Sequence, residues 1–118
     1  MFMELNRLPE LYCGFTRRRG EGPTLYPVAC NPQSWSSASV FYLVQACLGL
    51  RFETSAERIF LDNPQLPECL EKLEITNLKV AGSVVDISVI RHAADVGVNV
   101  RHRAGKVEVV VTHAARNA

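Results

Sequence analysis

The spacing of hydrophobic residues changes near residue 50 of the chain. Between Asn31 and Gly49, apolar residues occupy nearly every position after Ser39, which is typical of a helix without a polar face. From Arg51 onward, β-branched residues alternate with polar ones, and glycine or small polar clusters separate the runs. The pattern predicts a helical segment over residues 1–50 and an antiparallel β domain over residues 51–118, an α+β fold.

Three residues mark the ends of the predicted helix. Asn31 belongs to the residue types that favour the N-cap, and Pro32 suits the first helical position. Gly49 suits the left-handed position that follows a helix. Upstream, Leu5 and Leu8 are expected to end an earlier helix before Pro9. Because a helix that is apolar on nearly every side packs inside a large core, we expect residues 31–50 to associate, either in a homo-oligomer or with another chain.

The sequence pattern after residue 50 predicts one short strand and then a four-stranded meander. The short strand covers Arg58 to Leu61, and the others cover residues 72–80, with a bulge at Thr76–Asn77, then 84–91, 96–103 and 107–112. Asp86 and Ser88 are expected to face solvent. The residues expected to face inward are Val85, Ile87, Val89, Val96, Val98, Val100, Val107, Val109 and Val111. The result is a small antiparallel sheet or sandwich.

Composition narrows the classes of partner. The 118 residues are 47% hydrophobic and 21% charged, with a formal net charge of +1, so the chain is expected to fold and has no strong field for nucleic acid or anionic lipid. The predicted helix is too short and too polar at its start to cross a membrane. Residues 1–5 lack the basic start of a signal peptide, which predicts a cytoplasmic protein.

No cofactor or metal site is expected from the cysteines and histidines. Cys13, Cys30, Cys47 and Cys69 lie far apart and predict free buried thiols, with a metal site or disulfide as the alternative. The three histidines fall in or beside turns, and solvent-facing rings are expected for His92, His102 and His113. The arginines of residues 17–19 predict a solvated loop or an ion pair rather than a phosphate site.

The first half carries the candidate chemistry. Glu10 follows a proline-ended apolar segment, and Gln33 and Trp35 fall on the first turn of the predicted helix. A carboxylate, an amide and an indole near helix ends can hold a sugar, because the indole stacks on the ring and polar groups orient the hydroxyls. Simple packing and capping is the alternative interpretation.

Two motifs resemble a known family. Residues 7–15 read RLPELYCGF and residues 22–35 read GPTLYPVACNPQSW. Both resemble the C-terminal end of the amylo-α-1,6-glucosidase (glycogen debranching enzyme) family, and a looser similarity continues into the strands. The serines at positions 36, 37 and 39, and Asn31, depart from the smaller apolar residues expected around this helix.

The resemblance implies a fold and a function. Residues 1–50 would be the end of a barrel of helical hairpins, and residues 51–112 its β appendage. Glu10 would be the general base of an inverting hydrolysis, with Gln33 and Trp35 in a sugar subsite for an α-glucan. The general acid would be an aspartate from an earlier barrel segment. This stand-alone or truncated C-terminal portion is therefore expected to be inactive by itself and to dock on a helical-barrel chain.

Two alternatives from other classes stay open. The first is a small carbohydrate-binding or interaction module that uses the sheet and Trp35. The second is a subunit that complements a separate glucosidase chain by supplying Glu10 to its active site.

Overall fold

A computed structural model describes residues 8–16 and 18–114 of the chain. These residues form two compact units, one up to Leu43 and one from Val44 onward. The described residues include no helix with the length and hydropathy that a membrane span requires. The elements are α1 (Ser34–Leu48), β1 (Leu50–Glu53), β2 (Arg58–Asp62), β3 (Lys72–Val80), β4 (Ser83–Arg91), β5 (Val96–Ala104) and β6 (Glu108–Thr112). The α+β class is confirmed.

Helix α1 begins later than the sequence predicts. Pro32, joined to Asn31 by a cis peptide bond, lies outside the helix, so the predicted N-cap is wrong. The carbonyl of Gln33 accepts the first helical hydrogen bond, from the Ser37 N–H at 3.0 Å, so the helical ladder starts from Gln33. Leu8 is not helical, and Leu5 lies outside the described residues.

The C-terminal end of α1 is as predicted. Gly49 has a φ of +55°, and its N–H donates to the Ala46 carbonyl at 3.2 Å. Its own carbonyl accepts from the Asp62 N–H at 3.1 Å, which joins the end of the helix to β2. A side chain at Gly49 would collide with the Asp62 backbone. Glycine is therefore required both by its backbone angle and by this close approach.

Within residues 8–16 and 18–114, six strands form two three-stranded sheets, in the orders β1–β2–β6 and β3–β4–β5. The predicted meander is correct for β3 to β5, but β6 pairs in parallel with β2 and not with β5. The turn before β6 explains the change of sheet, because the Lys106 N–H donates to Ser83 Oγ at 3.1 Å and Gly105 lies directly against Ser83. This turn crosses the start of β4. Strand β1 was not predicted.

The core of the second unit draws on both sheets. Its fully buried side chains include Ile59 and Leu61 of β2 and Val85, Ile87 and Val89 of β4. The remaining buried apolar residues are Leu48, Leu66, Val80, Val96 and Val107. The alternation of apolar residues in β4 and the early part of β5 therefore identified much of this core.

Two predicted orientations are wrong, and the predicted bulge is confirmed. Ser88 is fully buried, with no hydrogen-bond partner for Oγ among the described residues, and Val100 is 44% exposed. The pairing of β4 with β5 shifts between Asp86 and Ile87, and β5 is an edge strand, so its alternation does not continue into the core.

At the bulge of β3, the Asn77 N–H donates to Asp86 Oδ1 at 2.7 Å.

The carboxylate of Asp62 links three strands. It accepts hydrogen bonds from Thr112 Oγ1 and from Arg51 Nε, both at 2.9 Å, and the Arg51 guanidinium lies 4.3 Å from the centre of the Phe60 ring. The hydrogen bond from Thr112, and then the one from Arg51, lower the pKa of Asp62 below its ordinary value of 3.8. The ionised form is therefore favoured by the fold.

This pKa shift predicts a loss of stability in acid. Because the folded pKa is lowered, the contribution of Asp62 is present above pH 3.8 and is lost as pH falls through the folded pKa. Asp62→Asn should therefore flatten part of the decline in unfolding temperature between roughly pH 5 and pH 2. An acid decline identical to that of the wild type would contradict this. NMR titration of Thr112→Val provides the control, because the pKa of Asp62 should move back toward 3.8.

Candidate functional site

Two segments of the first unit run antiparallel to each other. Tyr12 and Leu25 form an antiparallel bridge, and the Cys13 N–H donates to the Thr24 carbonyl at 2.9 Å. Farther along, the Glu10 N–H donates to the Cys30 carbonyl at 2.8 Å. These contacts connect the segment that carries Glu10 to the segment that leads into α1.

Two further hydrogen bonds hold residues 8–10 against the start of α1. The Gln33 N–H donates to the Leu8 carbonyl at 3.1 Å, and Ser36 Oγ donates to the Pro9 carbonyl at 2.8 Å. Pro9 and Ser36 are both buried. Ser36, one of the serines that depart from the expected residues, thus positions the Pro-Glu-Leu segment. Sequence reasoning missed this role, although a hydroxyl in a first helical turn is a recognisable signal.

The three predicted site residues lie on these adjoining segments. Glu10 is partly buried, and its Oε2 accepts a long hydrogen bond of 3.5 Å from the Cys30 N–H. Gln33 is partly buried and precedes α1, and Trp35 is 57% exposed on the first turn. The backbone contacts bring the segments together, while the indole is presented to solvent.

A separate concavity lies in the glycine-bearing loop of the same unit. It has a volume of about 930 Å³, and its walls include Cys13, Phe15, Arg18 and Glu21. Arg18 and Glu21 form an ion pair at 3.9 Å, which agrees with the ion-pair interpretation of this loop. Arg17 lies outside the described residues. None of Glu10, Gln33 and Trp35 lines this concavity.

All four cysteines are free, as predicted, but none is buried: Cys13 and Cys47 are partly exposed, and Cys30 and Cys69 are exposed. His92, His102 and His113 are exposed, and His102 lies within β5 rather than in a turn. Among residues 8–16 and 18–114, no three His, Cys, Asp or Glu side chains converge in an arrangement that could hold a metal ion.

The first unit has little core of its own. In its described part only Pro9 and Ser36 are buried, whereas every buried apolar residue of the core cluster belongs to the second unit. Its large apolar side chains are instead exposed: Leu11, Tyr12, Phe15, Leu25, Tyr26, Val28, Trp35, Val40, Phe41, Tyr42 and Leu43. So many exposed apolar side chains are typical of a surface that binds another protein element.

Comparison with family models, with curated proteins and with solved structures finds no match. The function is therefore inferred from the motifs of residues 7–35 and from the contacts of these residues.

Proposed function

We propose that this chain is the C-terminal portion of a debranching-type α-1,6-glucosidase, with Glu10 at the general-base position and Gln33 and Trp35 in a sugar subsite. The observation that carries the proposal is the pair of hydrogen bonds from Gln33 and Ser36 to the Leu8 and Pro9 carbonyls. They hold the Pro-Glu-Leu segment beside the start of α1, where Gln33 and Trp35 lie. This arrangement supports the proposal, because it brings the three candidate residues onto adjoining segments.

The contacts of Glu10 are suited to a base. Its Oε2 accepts from the Cys30 N–H, which orients the carboxylate, and no described residue donates to Oε1. That oxygen would accept a proton from the attacking water in an inverting hydrolysis. The acid on the other side of the bond would lie about 6.5–9.5 Å from Glu10 and would come from another part of the barrel. The chain alone should therefore not release glucose from α-1,6-linked substrates.

The exposed apolar surface of the first unit fits the same proposal. The helices of a barrel cover each other, and Phe41, Tyr42 and Leu43 of α1 are at least 61% exposed in the chain alone. The partner would be the remainder of a helical barrel. In its absence a second copy of the chain would cover the same face. The predicted cytoplasmic location belongs to this proposal as well.

The sole tryptophan makes the sugar subsite directly testable. Stacking of a sugar on the Trp35 indole should change its fluorescence in a saturable manner when the chain is titrated with isomaltose or maltotriose, at about millimolar concentrations. In calorimetry, Trp35→Phe should retain part of the binding and Trp35→Ala should lose it. A fluorescence unchanged by either sugar would overturn the subsite.

A second candidate is a small carbohydrate-binding module, which the 57% exposure of Trp35 favours. The two candidates differ in what Glu10 does. Adding a debranching-type helical barrel that lacks its own C-terminal end should restore α-1,6-glucosidase activity if the first proposal is correct. Glu10→Gln should then abolish this activity while sugar binding remains. A module would bind sugar equally well and restore no activity.

A further inference from the structure

A bowl-shaped cavity lies at one end of the second unit. Three separate chain segments form it: residues 63–66 after β2, residues 91–96 from the end of β4 to the start of β5, and residues 113–114 after β6. Its volume of about 590 Å³ falls within the range of roughly 300–1,000 Å³ that small-molecule sites occupy. We call this cavity the end bowl. It shares no residue with the site of Glu10, Gln33 and Trp35.

The wall of the end bowl combines apolar and polar residues, and hydrogen bonds fix part of it. Pro64, Leu66 and Val96 are buried apolar residues of its wall. The guanidinium of Arg91 donates to the carbonyls of Leu66 at 2.7 Å and Leu70 at 2.8 Å, and also to that of Pro67. These bonds hold the connection after β2 against the end of β4. The part of the wall that residues 63–66 form is therefore held in place by the end of β4.

Four polar side chains of the end bowl have no partner within the described residues: Gln65, His92, Asp95 and His113. Together they offer hydrogen-bond donors and acceptors from an amide, two imidazoles and a carboxylate. Gly97 leaves room for the His92 ring, because a Cβ there would lie 2.7 Å from His92 Nε2. Several polar groups that converge beside a few apolar side chains can fix the orientation of a small organic ligand.

The charges of the end bowl indicate a neutral ligand. With histidine counted as neutral, Arg91 and Asp95 contribute one positive and one negative charge. The guanidinium already donates to three carbonyls, which leaves it poorly available to an anion. The described residues also hold no cluster that could ligate a metal ion. A ligand with several hydroxyl groups and small apolar C–H faces matches both the polar side chains and the few apolar residues of the wall.

We propose that the end bowl binds one ring of a neutral sugar. Its apolar C–H face would pack on Leu66 and Val96, while the four unpartnered side chains hydrogen-bond its hydroxyls. This proposal does not depend on the function proposed for Glu10, since the two sites lie in different units. If both proposals are correct, the chain holds an α-glucan at two places.

One NMR experiment tests both sites separately. The chain has three histidines and one tryptophan, so the imidazole and indole signals can be assigned individually. Titration with maltose should shift the His92 and His113 imidazole signals in a saturable manner, at about millimolar concentrations, and leave His102 unchanged. The Trp35 indole reports the other subsite in the same spectra. Failure of one proposal therefore leaves the signals of the other intact.

Substitutions in the end bowl test whether the shifted imidazole signals report binding in this cavity. Gln65→Ala and His113→Ala should each weaken the maltose-induced shift of His92 by about tenfold in affinity, and His102→Ala is the matched control that should leave it unchanged. The proposal is wrong if, in the wild-type chain, maltose up to roughly 50 mM shifts the imidazole signals of neither His92 nor His113. A saturable response to inorganic phosphate at lower concentrations than to maltose also overturns it, because it assigns the bowl to anions.

Discussion

Gly49→Ala should lower the free energy of unfolding by about 3 kcal/mol or more. The backbone of Gly49 has a φ of +55°, which alone costs an alanine about 1–2 kcal/mol. The added Cβ would also collide with the carbonyl of Asp62, and a backbone atom cannot move aside as a flexible side chain can. Relieving the collision would disturb the pairing of Leu50 with Leu61, at the start of the first sheet. Urea unfolding followed by circular dichroism measures the loss.

Gly82→Ala is the matched control for this change. Gly82 has a φ of +82°, but no atom lies within 4 Å of the position that a Cβ would take. It should therefore cost only the conformational penalty, about 1–2 kcal/mol. The difference between the two variants isolates the steric contribution at Asp62. Equal losses would show that the close approach of Gly49 to Asp62 does not contribute to stability.

The chain purified by itself should associate through α1 at about micromolar concentration. Phe41 is 77% exposed and Tyr42 is 72% exposed, and their neighbours Val40 and Leu43 are exposed as well. Because consecutive residues of a helix point in different directions, these four side chains surround most of α1. No single face of the first unit can bury all of them. Phe41→Glu should weaken self-association by at least about tenfold, because it places a charge in the apolar contact. Sedimentation velocity over a range of concentrations measures this.

Phe52→Glu provides the comparison for that variant. It makes the same chemical change on β1, at a side chain that is 42% exposed and lies outside α1. Association should be unchanged in this variant. If the wild-type chain sediments as a 13.1 kDa species at about 100 μM, the assignment of α1 as a contact surface is wrong.

The pattern of hydrophobic residues was sufficient to predict five of the six strands that the described residues form, and the sheet order of three of them. In β3 to β5, each turn joins neighbouring antiparallel strands, so local pattern and sheet order agree. The parallel pairing of β6 with β2 could not be predicted, because it depends on the contact of the 104–107 turn with Ser83. The burial of Ser88 was likewise hidden, since a serine in an alternating strand is typical of an exposed face.

The candidate site, too, could be predicted only where residues close together in the sequence carry the signal. Glu10, Gln33 and Trp35 came from two sequence motifs, whereas Ser36 and the Pro9 carbonyl became visible only through their hydrogen bond. The end bowl was beyond prediction for a different reason. Its residues come from three segments separated by up to about fifty positions, and no motif joins His92 to His113 in the sequence.

The parallel pairing of β2 with β6 sets the order in which the second unit can be completed. Arg58 pairs with Glu108, so β2 and β6 join residues that lie fifty positions apart in the sequence. The neighbouring strands β3, β4 and β5, in contrast, are joined by short turns. Closing the long loop costs more entropy than closing a hairpin. During synthesis, the three-stranded meander can therefore form first, and β2 gains its second neighbour only when the last strand has emerged.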